Sequence, residues 1–139
     1  MRVGALSTTN MASGPNRSMR RARRVLIVED DSATLDLFCT KLRQAGYEVD
    51  GAPSVADALT ALAQRRYAVV LADHVMPDVH GLELLAILRR AVPGMPFILY
   101  SGFLTAELSA QAHEFGAFAV LEKPVPMRTL IGTVRAALS

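Results

Sequence analysis

Apolar residues recur along this chain in two alternating rhythms. VLIV at 25–28 is a short unbroken apolar run, and beyond it Leu35, Phe38 and Leu42 return at helical spacing. Ser32 is placed to cap that helix, which should reach Ala45 and stop at Gly46. YEVDGA reads as a strand of alternating exposure. Ser54 then opens a second helix with Val55, Ala58, Leu59 and Leu62 on one face. YAVVLA at 67–72 predicts a third strand that stops on an acid, Asp73, and GLELLAILRRA a third helix. FILYS at 97–101 is the fourth strand, set off by Pro93, Gly94 and Pro96. Thr105 opens a fourth helix running to Phe115, with Gly116 as its stop, and FAVLE and MRTLIGTVRAAL supply the last strand and helix.

Five repeats of strand then helix predict an α/β three-layer sandwich, a parallel five-stranded sheet with helices on both faces, because parallel strands need right-handed crossovers. The unbroken apolar character of VLIV, AVVLA and FILY fits a sheet covered on both sides. Ligands of such sheets bind beyond the carboxyl ends of the strands. Those ends here carry Glu29, Asp30 and Asp31, then Asp73, then Ser101, then Glu122, Lys123 and Pro124. The polar candidates therefore fall on one edge.

Composition narrows the setting. A chain of 139 residues fits one domain, and no apolar run reaches the roughly 18 residues that span a bilayer. The net charge of +2 hides a division: six arginines and no acid occupy residues 1–24, leaving nine basic against thirteen acidic residues after them. Residues 1–23 are accordingly expected to be a disordered basic leader and 24–139 the folded domain. The leader lacks a signal peptide's apolar core, which predicts a cytoplasmic protein. No aromatic residue is interleaved with its arginines, so a solvated leader is favoured over a nucleic-acid contact, and no membrane partner is expected. Cys39 reads as a small buried hydrophobe, and His74, His80 and His113 show no metal-ligand spacing.

Four fragments in order, VLIVEDD, VVLADHVMPDVHG, LYSG and LEKPV, give the chain over about residues 24–138 a resemblance to the receiver domains of two-component response regulators. The resemblance implies a flavodoxin-like (βα)5 fold with strand order 2-1-3-4-5. It implies Asp73 as phosphoacceptor, with Lys123 and Ser101 assisting. It implies Mg2+ held by Glu29, Asp30, Asp73 and the main-chain carbonyl of Val75. The implied partners are a histidine kinase or histidine phosphotransfer protein upstream, and a separate protein or a fused output domain downstream. It implies a signalling receiver rather than a turnover enzyme, although such a domain assists its own phosphorylation and dephosphorylation. The family's switching aromatic, three positions before the lysine, is Val120 here, with Phe118 on the same side of the strand by alternation. A cis Lys123–Pro124 bond is a further implication.

Plain readings stand beside these. Asp31 and Asp78 read as solvated loop acids, Asp31 with some part in starting the first helix, Glu122 as an exposed strand residue, and Met76, Pro77 and Gly81 as turn-shaping. A hydrolase with an aspartyl nucleophile would want a second acid two residues after Asp73, where Val75 stands. A nucleotide-binding domain would want a glycine-rich first turn, and VEDDSATL has none. A phosphorylation-independent adaptor on the same fold is the remaining alternative.

Overall fold

Residues 24–139 are described by a computed structural model, and the expected leader over residues 1–23 lies outside the described residues. The strands are β1 (Arg24–Val28), β2 (Glu48–Ala52), β3 (Val69–Asp73), β4 (Phe97–Ser101) and β5 (Ala119–Glu122). The helices between and after them are α1 (Ser32–Gln44), α2 (Val55–Gln64), α3 (Gly81–Ala91), α4 (Ala106–Glu114) and α5 (Met127–Ala137). All strand pairs are parallel and the order is β2-β1-β3-β4-β5, the flavodoxin-like arrangement expected. Among the described residues no helix is long and apolar enough to cross a membrane.

Local chemistry sets the element ends. Ser54 and Thr105 cap α2 and α4 as expected, their side-chain oxygens accepting from the N–H groups of Asp57 and Leu108. Gly46 and Gly116 follow α1 and α4 with φ of 102° and 85°, where a side chain would be strained. At α1 the cap is Asp31, not Ser32: Asp31 Oδ2 accepts from the Thr34 N–H at 2.9 Å and the Thr34 hydroxyl at 2.6 Å. The Asp31 N–H is itself held by Glu29 Oε2 at 3.0 Å in the extended backbone of the cap, and the helix begins at Ser32, one residue earlier than a Ser32 cap would allow. The third strand begins at Val69 rather than 67 and takes in Asp73. Tyr67 is buried ahead of it, its hydroxyl donating to Asp50 Oδ2 at 2.7 Å. Leu59 stands exposed, since α2 buries Val55 and Ala58.

Two cores flank the sheet, and strand alternation assigns each residue to one of them. Val25, Ile27, Val69, Leu71, Ile98 and Tyr100 pack with Phe38, Cys39 and Leu42 of α1 and Leu130 and Val134 of α5. Leu26, Val28, Val70, Ala72, Phe97 and Leu99 pack on the other side with α2, α3 and α4. Each large aliphatic side chain so buried contributes about 2 kcal/mol. Cys39 is a free, buried thiol of the first core, and burial pushes its pKa up.

Candidate functional site

The same alternation, carried one step past the apolar residues, builds a charged cluster. Glu29 follows Val25 and Ile27, and Asp73 follows Val69 and Leu71, so both carboxylates leave the sheet on the face of α1 and α5. β1 and β3 are also where the strand order reverses, so the acids sit at the crevice of an open α/β sheet. Tyr100 pairs directly across from Asp73, and Lys123, two residues beyond Leu121, returns to that face from the end of β5. Lys123 Nζ lies 2.8 Å from Asp73 Oδ2 and 3.5 Å from Glu29 Oε1. The expected cis Lys123–Pro124 bond is present.

Glu29 and Asp73 are 1% and 4% exposed, so each needs internal partners. Glu29 accepts from the Tyr100 hydroxyl at 2.7 Å and from the Asp31 N–H, and Asp73 Oδ1 accepts from the Val75 N–H at 3.3 Å. Burial pushes the Glu29 carboxyl up, against the pull of the Asp31 N–H and the Tyr100 hydroxyl, with the charge of Asp73 adding to the rise. Burial alone would lower the Lys123 ammonium, but its hydrogen bond to Asp73 and the two nearby negative charges outweigh it and hold the pKa up. Asp30, on the solvent side, completes the set: one carboxylate oxygen from each of Glu29, Asp30 and Asp73 lies within 4.8 Å of the others. Three hard oxygen donors against a single ammonium are the donor set of an oxygen-preferring divalent cation.

Ser101 ends β4 fully buried, its Oγ accepting from the Phe103 N–H at 3.1 Å, while the Phe103 ring is 86% exposed. Val75 lies in the β3–α3 loop with its side chain largely in solvent. Val120 is half-buried against the core of α2, α3 and α4, and Phe118 stands 47% exposed just before β5. Beside Lys123 a groove of about 400 Å³ opens between α1 and α5, lined by Thr34, Leu37, Phe38, Pro124, Val125 and Met127.

Two residues read as plain loop elements do more. Gly81 begins α3 with its N–H donating to the His74 carbonyl at 2.8 Å, and a Cβ there would strike the Asp73 carbonyl oxygen. Asp78 is not merely solvated: its carboxylate accepts from the N–H groups of Val55 at 3.2 Å and Ala56 at 2.9 Å, tying the β3–α3 loop to the first turn of α2. The Ala56 N–H is the main cause holding the Asp78 carboxyl below its usual range. A depressed folded-state pKa means that the stabilisation is present above the unfolded value of about 3.9 and lost as pH falls through the folded one. Asp78→Ala is therefore expected to melt a few degrees below the wild type at neutral pH, with the gap closing in acid. Paired thermal melts across that range check it.

His74 and His80, six residues apart, bring their rings to 4.7 Å, and His74 Nδ1 accepts from the Leu82 N–H at 3.4 Å. The residue that sequence reasoning missed is Tyr100, hidden in the apolar run FILYS. The signal lay in its parity with Ile98, which puts its ring on one face of the strand.

Comparison with known proteins agrees with this fold. The family described as response regulator receiver domain matches residues 25–135. The chain is 34% identical over 115 residues to the probable transcriptional regulatory protein SilR of Salmonella typhimurium, covering 83% of this chain and 50% of that protein. It is 32% identical over 113 residues to the response regulator protein FleR of Pseudomonas aeruginosa, covering 81% and 24%. The chain thus spans about half the length of the one and a quarter of the other. The crystal structure of a CheY-like response regulator receiver domain protein from Methanospirillum hungatei JF-1 superimposes with a TM-score of 0.80 at 34% identity, covering 84% of this chain and 93% of that one. The solution structure of the beryllofluoride-activated NtrC4 receiver domain dimer gives 0.80 at 25% identity, covering 84% and 96%.

Proposed function

The chain belongs to the response regulator receiver domain family of two-component signalling, and on that premise we propose that Asp73 is its phosphoacceptor in a Mg2+-dependent phosphorelay step. The observation that carries the reading is the Lys123 ammonium 2.8 Å from Asp73 Oδ2, with oxygens of two further carboxylates, Glu29 and Asp30, within 4.8 Å. A carboxylate so flanked has a cation ready for an incoming phosphoryl group and a donor set for a second one.

The donor is a histidine kinase or a histidine phosphotransfer protein, and the groove between α1 and α5 opens beside Lys123, the contact of Asp73. An Asp73 oxygen attacks phosphorus, the bond to the histidine nitrogen breaks, and an acyl phosphate forms on the aspartate. Lys123 moves its contact from the free carboxylate to the phosphoryl oxygens, where negative charge has gathered. Ser101 offers its hydroxyl to the same group. Glu29, Asp30, Asp73 and the main-chain carbonyl of Val75 would hold Mg2+, which when bound supplies charge neutralisation at the phosphoryl oxygens. The product is a switch: added charge at the strand ends shifts the surface of the β4–α4 side toward a downstream protein partner or a fused output domain. The cytoplasm is the compartment where such a donor is met.

The test is labelling with a small-molecule phosphodonor with and without Mg2+. The expected product is one metal-dependent phosphoryl group per chain, removable by hydroxylamine as an acyl phosphate is. A folded, metal-supplied protein that takes no label would favour the phosphorylation-independent adaptor.

A further inference from the structure

Tyr100 is fully buried, carries a hydroxyl, and has no part in the phosphoryl chemistry above. Its Cα is the cross-strand partner of Asp73, and its side chain lies on the same face of the sheet as Asp73, Glu29 and Lys123. Three contacts fix it. The hydroxyl donates to Glu29 Oε1 at 2.7 Å across 71 residues of sequence, the ring lies 5.1 Å from Lys123 Nζ, and the edge of the ring pair with Phe38 of α1 spans 5.6 Å between centroids at 61°. One side chain therefore touches an acidic and a basic member of the cluster at once, from a position locked by core packing.

We infer that Tyr100 is the positioning residue of the carboxylate cluster: through its hydroxyl it sets the buried Glu29 carboxylate in the orientation that a divalent cation at Glu29, Asp30 and Asp73 requires. The inference rests on the metal reading of those three acids. Glu29 is 1% exposed and cannot borrow water freely to orient itself. With Oε2 taken by the Asp31 N–H, the Tyr100 hydroxyl is the hydrogen bond that fixes the rotation of the other oxygen. The Lys123 ammonium also approaches Oε1, at the longer distance of 3.5 Å, and its shorter contact is with Asp73. Without the hydroxyl, Glu29 Oε1 keeps only the longer Lys123 contact and loses its short hydrogen bond. Groups that orient ligands from outside the coordination shell commonly change metal affinity by roughly 10- to 100-fold when removed.

The experiment is a Mg2+ titration of the unphosphorylated protein, read by backbone amide shifts in nuclear magnetic resonance, on the wild type, Asp30→Asn and Tyr100→Phe. Phenylalanine keeps the ring, its packing on Phe38 and its place beside Lys123, and removes the hydroxyl alone. The expected result is wild-type binding that Asp30→Asn loses and Tyr100→Phe weakens by roughly 10- to 100-fold. A folded Tyr100→Phe whose Mg2+ affinity stays within about twofold of the wild type overturns the inference and leaves the metal site standing. A purely structural tyrosine would lower the unfolding midpoint and produce that same unchanged affinity. Wild-type protein that shows no Mg2+-dependent shifts overturns the metal reading itself, and the inference with it. A double-mutant cycle adds a second readout, in which Glu29→Gln/Tyr100→Phe is compared with Glu29→Gln alone. Equal affinities support action through Glu29, and a further loss in the double variant overturns it.

Discussion

Asp73→Asn will take no phosphoryl label, a fall of at least about 10³-fold at matched phosphodonor and Mg2+, because the acid that leaves is the proposed nucleophile. The neighbouring acids cannot replace it. Glu29 is buried with both oxygens occupied, by the Tyr100 hydroxyl and the Asp31 N–H, and Lys123 Nζ reaches it only at 3.5 Å. Asp30 faces solvent, and an acyl phosphate there would lack the ammonium that Asp73 has at 2.8 Å. An asparagine keeps the size of the side chain and one oxygen for Lys123, so the fold should persist and the loss can be assigned to chemistry. Label retained at the wild-type rate in the folded variant would place the acceptor elsewhere.

The largest expected effect on stability comes from the smallest substitution, Gly81→Ala. An added Cβ would lie inside van der Waals contact with the Asp73 carbonyl oxygen, and 3.0 Å from both the Asp73 carbonyl carbon and His74 Cα. All three are backbone atoms, so no flexible side chain can give way. The alternatives are to displace the end of β3 or the first turn of α3, and the second breaks the Gly81 N–H bond to the His74 carbonyl. Overpacking of this kind costs up to about 3 kcal/mol, or about 10 °C of unfolding temperature in a domain of this size. Because the displaced atoms belong to Asp73 and its neighbour, the folded fraction should also label more slowly. Thermal melts alongside initial labelling rates check both, and an alanine variant that melts with the wild type would mean that the approach of α3 to β3 is looser than described.

Much of this was legible from the chain because the fold repeats one rule five times. Each apolar run with period two or none became a strand, each run with period 3.6 a helix, and Glu29, Asp30, Asp73, Ser101 and Lys123 stood out as polar residues at run ends. What escaped had no local signature. In FILYS both faces of the strand are buried, so nothing in the pattern says that the fourth residue meets an acid 71 positions earlier. Asp78 caps a helix that starts 23 residues before it, a contact no periodicity reports. Asp31 and Ser32 are both good caps, and the choice between them goes with a bond from the Asp31 N–H to the Glu29 side chain two residues back, which periodicity does not report. Leu59 fits the helical face by spacing yet stands in solvent, because α2 covers β1 and β2 with a narrower stripe than its sequence offers.

The two loops that border Asp73 are unequally anchored. After β3, the chain is fastened at Asp78 to α2 and at Gly81 to the His74 carbonyl. After β4, the Ser101 carbonyl accepts from the Lys123 N–H and its Oγ from the Phe103 N–H, while the Phe103 ring stands in water. The site is in effect a vice with one jaw bolted down. If Asp73 takes a phosphoryl group as proposed, the loop after β4, with fewer ties to neighbouring elements, is the one expected to move.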